Sequence, residues 1–286
     1  MKPIATYSRT TEILEEFETF AKKKYGQNFI IDPSIIESIC KGANLDKNTH
    51  VIEVGPGLGA LTEGLCQYSK DVLAYDIDED AIQILSQTLA PYNNVEVIHQ
   101  DFLTVDLGSI VKKYEGEPLK IVANLPYYIT SDLLEKIILN RQGISEVIVM
   151  VQKEVAKKFC SGRKDKNRQP IHVLLEKIAK VEYLFTVSQN VFLPKPNVDS
   201  AMMKITFNAD YDCNEEALYT FFKQVFHNRR KTIVNNLKGV YTYEMINQAL
   251  DRCGLSLITR AESLDEEQLE NLYFTLKKGE VYCQSL

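Results

Sequence analysis

The sequence predicts an α/β fold in which a mainly parallel sheet is followed by a small all-α domain, and three observations carry that expectation. Short β-branched runs alternate with helical apolar spacing through the first two thirds of the chain, which is the pattern of βα units. A glycine-rich turn, Gly55-Pro56-Gly57-Leu58-Gly59, directly follows the first good strand. From Asn208 onward the strand signal stops, and residues 215–226, 229–237, 244–253 and 265–276 all read as helices. The division is therefore placed at residues 1–208 and 209–286.

Length and composition fit that division. At 286 residues the chain is long for one core, and 45% hydrophobic with 25% charged residues is ordinary for a globular protein. No apolar run reaches membrane-spanning length, and residues 1–9 lack the apolar stretch of a secretory signal, so no membrane is expected. Six scattered cysteines show neither a CxxC pair nor His at metal spacing, which points to a reducing cytoplasm and no metal. A net charge of −6 argues against nucleic acid as a partner, but its distribution does not. Positive charge gathers in residues 22–24, 153–168 and 229–231, each readable as a solvated face or as a phosphate contact.

In chain order, residues 10–24 place Ile13, Leu14, Phe17, Phe20 and Ala21 at helical spacing and predict an amphipathic helix. Asp32-Pro33 is an N-cap and first helical position for a helix to Lys41. Residues 50–54 form a strand that empties into the glycines, where the backbone can approach a ligand because no side chain intervenes. The alternative is a plain tight βα turn. The next strand, residues 72–75, ends at Asp76, about 20 residues on, where a carboxylate can accept from ribose hydroxyls. Asp78 can cap the helix behind it. A third strand, residues 95–99, ends at Asp101-Phe102, so Asp101 can accept from an adenine amino group, with Phe102 or Ile77 against the ring.

The fourth strand ends in Asn124-Leu125-Pro126-Tyr127. Asn124 and the Leu125 carbonyl can accept the two N–H bonds of a planar amine while Tyr127 stacks on its ring. The competing reading is a strand-end turn with Tyr127 in the core. A dinucleotide would favour GxGxxG, whereas ExGxGxG with acids after strands two and three fits S-adenosylmethionine better, leaving the tetrad for the methyl acceptor. Beyond it come a helix to Leu139 capped by Thr130 or Ser131, a strand at 146–151, helices at 152–159 and 171–179, and strands at 181–187 and 200–207. Phe192, in the proline-rich loop between the last two strands, is either a packed anchor or a second stacking face.

Taken together, Gly26-Gln27-Asn28-Phe29, the ExGxGxG run from Glu53, Asn124-Leu125-Pro126-Tyr127, the FxPxPxV run from Phe192 and Phe226-His227-Asn228-Arg229-Arg230-Lys231 resemble one family. It is the small-subunit ribosomal RNA adenine dimethyltransferases, the KsgA/RsmA family, and the likeness runs from about Lys23 to the carboxyl end. The resemblance implies a Rossmann-like class I S-adenosylmethionine-dependent methyltransferase domain and a helical RNA-recognition domain. It implies cofactor contacts from Asn28, Ile30, Gly55, Asp76, Asp101 and Asn124, with Gln27, Gly57, Ile77 and Phe102 beside them. Ile30 and Asp76 depart from the leucine and glutamate usual in the family.

The implied reaction is dimethylation of two adjacent adenosines in a hairpin loop near the 3′ end of 16S RNA. Asn124, Leu125, Tyr127 and Phe192 are the expected catalytic groups. Lys153, Lys157, Lys158, Arg163, Arg229, Arg230 and Lys231 are the expected RNA contacts, with a cytoplasmic monomer acting on the 30S particle. Competing classes are a large-subunit methyltransferase of the macrolide-resistance type, a DNA adenine methyltransferase, a non-catalytic assembly factor and an NAD enzyme. Gly26 and Leu125 stand where the large-subunit branch has serine and isoleucine.

Overall fold

A computed structural model describes residues 2–162, 168–208 and 214–283. Two compact units emerge, one of Met1–Cys160 with Val181–Phe207 and one of Ser161–Lys180 with Asn208–Leu286. The boundary expected at 208 coincides with one junction. Residues 161–180, expected in the sheet domain, belong instead to the helical unit.

The first unit is built on a seven-stranded sheet of β2 (His50–Val54), β3 (Asp71–Asp76), β4 (Val95–His99), β5 (Leu119–Asn124), β6 (Glu146–Gln152), β7 (Ala179–Val187) and β9 (Ser200–Phe207). Its order is β4-β3-β2-β5-β6-β9-β7. Strands β4, β3, β2, β5 and β6 run parallel, and β9 is antiparallel to β6. Central strands are buried along nearly their whole length and mostly apolar, because helices cover both faces of such a sheet. Val51, Ile52, Ile121, Val122, Val147 and Ile148 are each at most 1% exposed. Edge strand β4 instead has no fully buried residue, Glu96 and His99 being exposed, as befits a half-covered strand.

Helix α2 (Pro33–Gly42) precedes the sheet, and α3 (Ala60–Tyr68), α4 (Glu79–Thr88), α5 (Leu107–Lys113), α6 (Thr130–Leu139) and α7 (Lys153–Ser161) follow its successive parallel strands. Asp32 caps α2 and Asp78 caps α4, each accepting from the backbone two residues on. No side chain caps α6: Thr130 donates its hydroxyl back to the Pro126 carbonyl at 2.9 Å, because that residue already lies inside the helix.

The amino-terminal helix is shorter than its apolar spacing suggests. Helix α1 spans Tyr7–Glu16, after which Thr19 donates to the Leu14 carbonyl and Glu18 turns back at φ +47°. Three acids near a helix carboxyl end oppose its dipole, and the chain leaves the helix there. Phe20 is consequently 74% exposed, not packed. Residues beyond α1 form a strap leading through a single 3-10 turn, Lys23–Tyr25, into β1 (Phe29–Ile30). Strand β1 pairs antiparallel with β8 (Phe192–Leu193), setting Ile30 against Phe192. That pairing has no periodic signature in two such short segments.

The second unit contains α8 (Pro170–Ile178), α9 (Glu215–Val225), α10 (Ile233–Leu237), α11 (Tyr243–Arg252) and α12 (Glu266–Cys283). Leu218, Phe222, Leu237, Leu250, Leu269 and Leu272 are completely buried, and Phe221 meets Tyr273 at 5.4 Å between ring centroids. Helix α8 packs on α9 and α12. Lys177 pairs with Glu270 at 2.8 Å, and buried Arg168 pairs with Glu176 and donates to the Leu264 carbonyl at 2.9 Å. The helix expected over 229–237 begins only at Ile233, because Thr232 accepts from the Asn235 amide and so takes the cap position. Arg229, Arg230 and Lys231 lie in the preceding turn.

Candidate active site

Asn124 ends β5, and its strand register continues one residue further through the Leu125 amide, which donates to the Met150 carbonyl at 3.1 Å. The Pro126 carbonyl then accepts from Ile129 and Thr130, which fixes the tetrad as a rigid exit into α6. A cavity of about 310 Å³ opens at the carboxyl ends of the parallel strands. It is lined by Gly55 and Gly57 after β2, Asp76 and Ile77 after β3, Asp101 and Phe102 after β4, the tetrad after β5, and Gln27, Asn28 and Ile30 from the strap and β1. Residues from five segments far apart in sequence thus meet where open α/β sheets bind ligands.

The polar groups in this cavity are already oriented. Asp76 is 8% exposed and accepts from the Gly57 amide at 3.2 Å and the Asp78 amide at 2.9 Å. Burial nonetheless raises its pKa, because two amide dipoles do not replace full hydration. Gly57 sits at φ +60°, and a Cβ there would lie 3.3 Å from the Phe29 ring, so glycine keeps the cradle open. Asp101 accepts from the Leu103 amide at 2.9 Å. The Asn124 Nδ2 points toward the Asn28 carbonyl at 3.5 Å, which leaves Oδ1 as that side chain's acceptor.

Not every expected residue presents its side chain to the cavity. Phe192 is 3% exposed in the core beneath β1 and does not line it, so the packed-anchor alternative describes its position. Phe102 lines the cavity but is 4% exposed and edge-on to Tyr75, whereas Ile77 is 44% exposed and offers the open apolar face. The Gln27 amide is turned away: its Nε2 donates to Asp78 at 3.0 Å and its Oε1 accepts from the Lys22 amide at 2.8 Å.

Of the expected RNA contacts, Lys153 bonds Asp199 at 3.3 Å and Lys157 bonds Glu154 at 3.1 Å. Lys158, Arg229, Arg230 and Lys231 are exposed, and Arg163 lies outside the described residues. The sequence reading missed Tyr25, Tyr128 and Ser200. Tyr25 and Tyr128 line the cavity, and the Tyr127 hydroxyl bonds Ser200. An aromatic next to the tetrad was a usable signal for Tyr128. Ser200 carried none.

Glu53 also lines the cavity, is 1% exposed, and burial together with the Asp76 carboxylate pushes it up to about 8. The folded protein then holds a proton that the unfolded chain, with a value near 4.5, has released. Stability therefore falls as pH rises from about 4.5 to about 8. Glu53→Gln removes this slope. Thermal unfolding without ligand is expected to show a difference in Tm between pH 5 and pH 8 that is smaller in the variant by roughly 3 to 8 °C. Equal differences in both proteins would mean that Glu53 ionises normally.

Among the described residues no group of His, Cys, Asp and Glu is placed to hold a metal ion, and no helix is long and apolar enough to cross a membrane. The family model for ribosomal RNA adenine dimethylase matches residues 19–278. Ribosomal RNA small subunit methyltransferase A of Oceanobacillus iheyensis is 38% identical over 276 residues, 93% of this chain and 94% of the relative. The protein of that description from Geobacillus thermodenitrificans is also 38% identical, over 95% and 96% of the two chains.

Among solved structures, the 23S rRNA methyltransferase ErmE superposes with a TM-score of 0.64 at 26% identity, covering 87% of this chain and 100% of its own. A dimethyladenosine transferase from Plasmodium falciparum superposes at 0.73 with 24% identity, over 87% and 97%, and bears on the fold. With the family model matching residues 19–278 and relatives 38% identical over more than nine tenths of the chain, the chain belongs to the ribosomal RNA adenine dimethylase family.

Proposed function

We propose that this chain dimethylates the exocyclic amino groups of adenosines in small-subunit ribosomal RNA, with S-adenosylmethionine as methyl donor. One observation carries the reading: Asn124, Leu125 and Tyr127 open into the same cavity as Gly55, Asp76 and Asp101. The residues fit the cofactor. A buried carboxylate suits ribose hydroxyls, Asp101 suits an amino group with Ile77 against the purine, and the glycine cradle admits the amino-acid end. Bound there, the cofactor supplies an electrophilic methyl group on a sulfonium.

The protein's part is to align and to accept. An adenine amino nitrogen is a poor nucleophile because its lone pair is delocalised into the ring. Asn124 Oδ1 and the Leu125 carbonyl accept both of its N–H bonds, which draws the nitrogen toward tetrahedral geometry and localises the pair. The Tyr127 ring, its hydroxyl held by Ser200, stacks on the base and stabilises positive charge developing on nitrogen. No dedicated base is needed, since the methylated ammonium is acidic enough to lose its proton to water. Unstacking the target costs a few kcal/mol in a duplex and less in a loop.

The finer substrate is two adjacent adenosines in a hairpin near the 3′ end of 16S RNA, within the 30S particle, acted on by a monomer. The names carried by the 38%-identical relatives favour the small subunit over the large. Labelled methyl transfer to unmodified small-subunit particles, large-subunit RNA and duplex DNA in parallel, followed by nucleoside analysis, tests it. Dimethyladenosine from the small-subunit particle alone is the expected outcome. Label in large-subunit RNA or DNA, or none anywhere, would replace this reading with one of its competitors.

The helical unit is assigned to RNA recognition. Its exposed Arg229 and Arg230 are expected to contact phosphates. The double replacement Arg229→Ala, Arg230→Ala should weaken RNA binding and lower the slope of log affinity against log salt by about 1.5 to 2. A slope equal to wild type would withdraw both residues from the interface.

A further inference from the structure

The strap between α1 and β1 is tied to the cofactor cavity by a cation that the proposed chemistry does not use. Lys22 Nζ meets Asp78 Oδ1 at 2.5 Å and Asp80 Oδ2 at 2.5 Å, with the Lys22 and Asp78 side chains 20% and 6% exposed. Asp78 is not a distant anchor. Its backbone amide donates to Asp76 Oδ1, whose other oxygen accepts from Gly57. Gln27 closes the loop, donating to Asp78 Oδ2 while accepting from the Lys22 backbone. Hydrogen bonds therefore run unbroken from the strap to the acid and glycine of the nucleoside half of the cavity.

The strap also reaches the opposite wall. Tyr25, with the Lys24 ammonium 4.3 Å from its ring centre, lines the cavity, and a methyl group placed on Gly26 would lie 3.4 Å from the Tyr128 ring. Tyr128 is 53% exposed and follows the tetrad directly. One end of the strap is thus fixed at the β3 exit, and its middle touches the β5 exit.

We propose that Lys22 is a positioning residue for the cofactor: by pairing with Asp78 it clasps the strap of residues 22–28 across the cavity against Tyr128 and slows cofactor release. This inference rests on the reading of the cavity as the S-adenosylmethionine site. Lys22 touches neither reacting atom. Dimethylation of two bases needs four donors in succession, so a strap that must unlatch between them controls how fast product cofactor is exchanged.

The test measures release of S-adenosylhomocysteine from the full chain by stopped-flow, and amide hydrogen exchange of the strap without any ligand. Lys22→Met, which removes the charge-assisted contacts to Asp78 and to the more exposed Asp80, is expected to release the ligand about five- to thirtyfold faster. KM for the cofactor should rise correspondingly, with kcat at saturation falling less than KM rises. Amides of residues 22–28 should exchange faster, and Lys22→Arg should restore both readouts. A folded Lys22→Met with wild-type release and exchange would overturn the clasp. Asp76→Ala separates the two readings. If it weakens binding tenfold or more while Lys22→Met leaves release untouched, only the clasp is wrong; if Asp76→Ala binds normally, the cavity assignment and the clasp both fall.

Discussion

Asn124→Ala is expected to lower kcat by about 10²- to 10³-fold while leaving the affinity for S-adenosylhomocysteine within about tenfold of wild type. The expectation follows from what the side chain does at the end of β5. Its Nδ2 faces the Asn28 carbonyl and the residue lines the cavity; in the proposed mechanism its oxygen accepts an N–H of the target amine. Removing that acceptor leaves the nitrogen planar and misaligned, a defect felt in the chemical step. Cofactor binding is buffered by Asp76, Asp101 and the glycine cradle. Single-turnover methyl transfer with saturating RNA checks this directly. A rate within tenfold of wild type would mean that the target base docks elsewhere.

Asp76→Ala is expected to act on the other half of the site, raising the dissociation constant for S-adenosylhomocysteine by about 10- to 100-fold through loss of hydrogen bonds to a charged group. Two effects combine. The ribose loses its acceptor, and the Gly57 and Asp78 amides lose the carboxylate that orients the cradle and the start of α4. Asp76→Asn separates them, since an amide oxygen still accepts one bond and should recover part of the affinity. Isothermal titration against each variant reads the effect, and affinity unchanged in Asp76→Ala would move the ribose elsewhere.

Most of the site was legible because its residues sit at strand ends, and strand ends are marked by β-branched runs stopped by Gly, Asp or Asn. Gly55, Asp76, Asp101 and Asn124 were found this way, and the structure brings them around one cavity. What was not legible depends on contacts without a period. Apolar spacing over residues 10–24 suggested one helix, yet local carboxyl-end bonding and a positive φ at Glu18 stop it early. Phe192 was ambiguous as a loop phenylalanine; the two-residue pairing of β1 with β8 sets it opposite Ile30, and it is buried in the core. The course of residues 161–180 was likewise hidden, because helical periodicity gives an apolar face but not the neighbour that covers it.

That last feature limits how the protein can be taken apart. Because α8 departs from the sheet unit and the chain then returns for β7, β8 and β9, the helical unit is assembled from two stretches of sequence. A fragment truncated after residue 208 would retain the fully buried Val173, Leu174 and Ile178 of α8 while discarding α9 and α12, the helices that pack on α8. Grafting the carboxyl-terminal helices of one relative onto the sheet of another therefore requires a two-site exchange that carries residues 161–180 along. A single-crossover chimaera would pair a foreign bundle with a mismatched first helix.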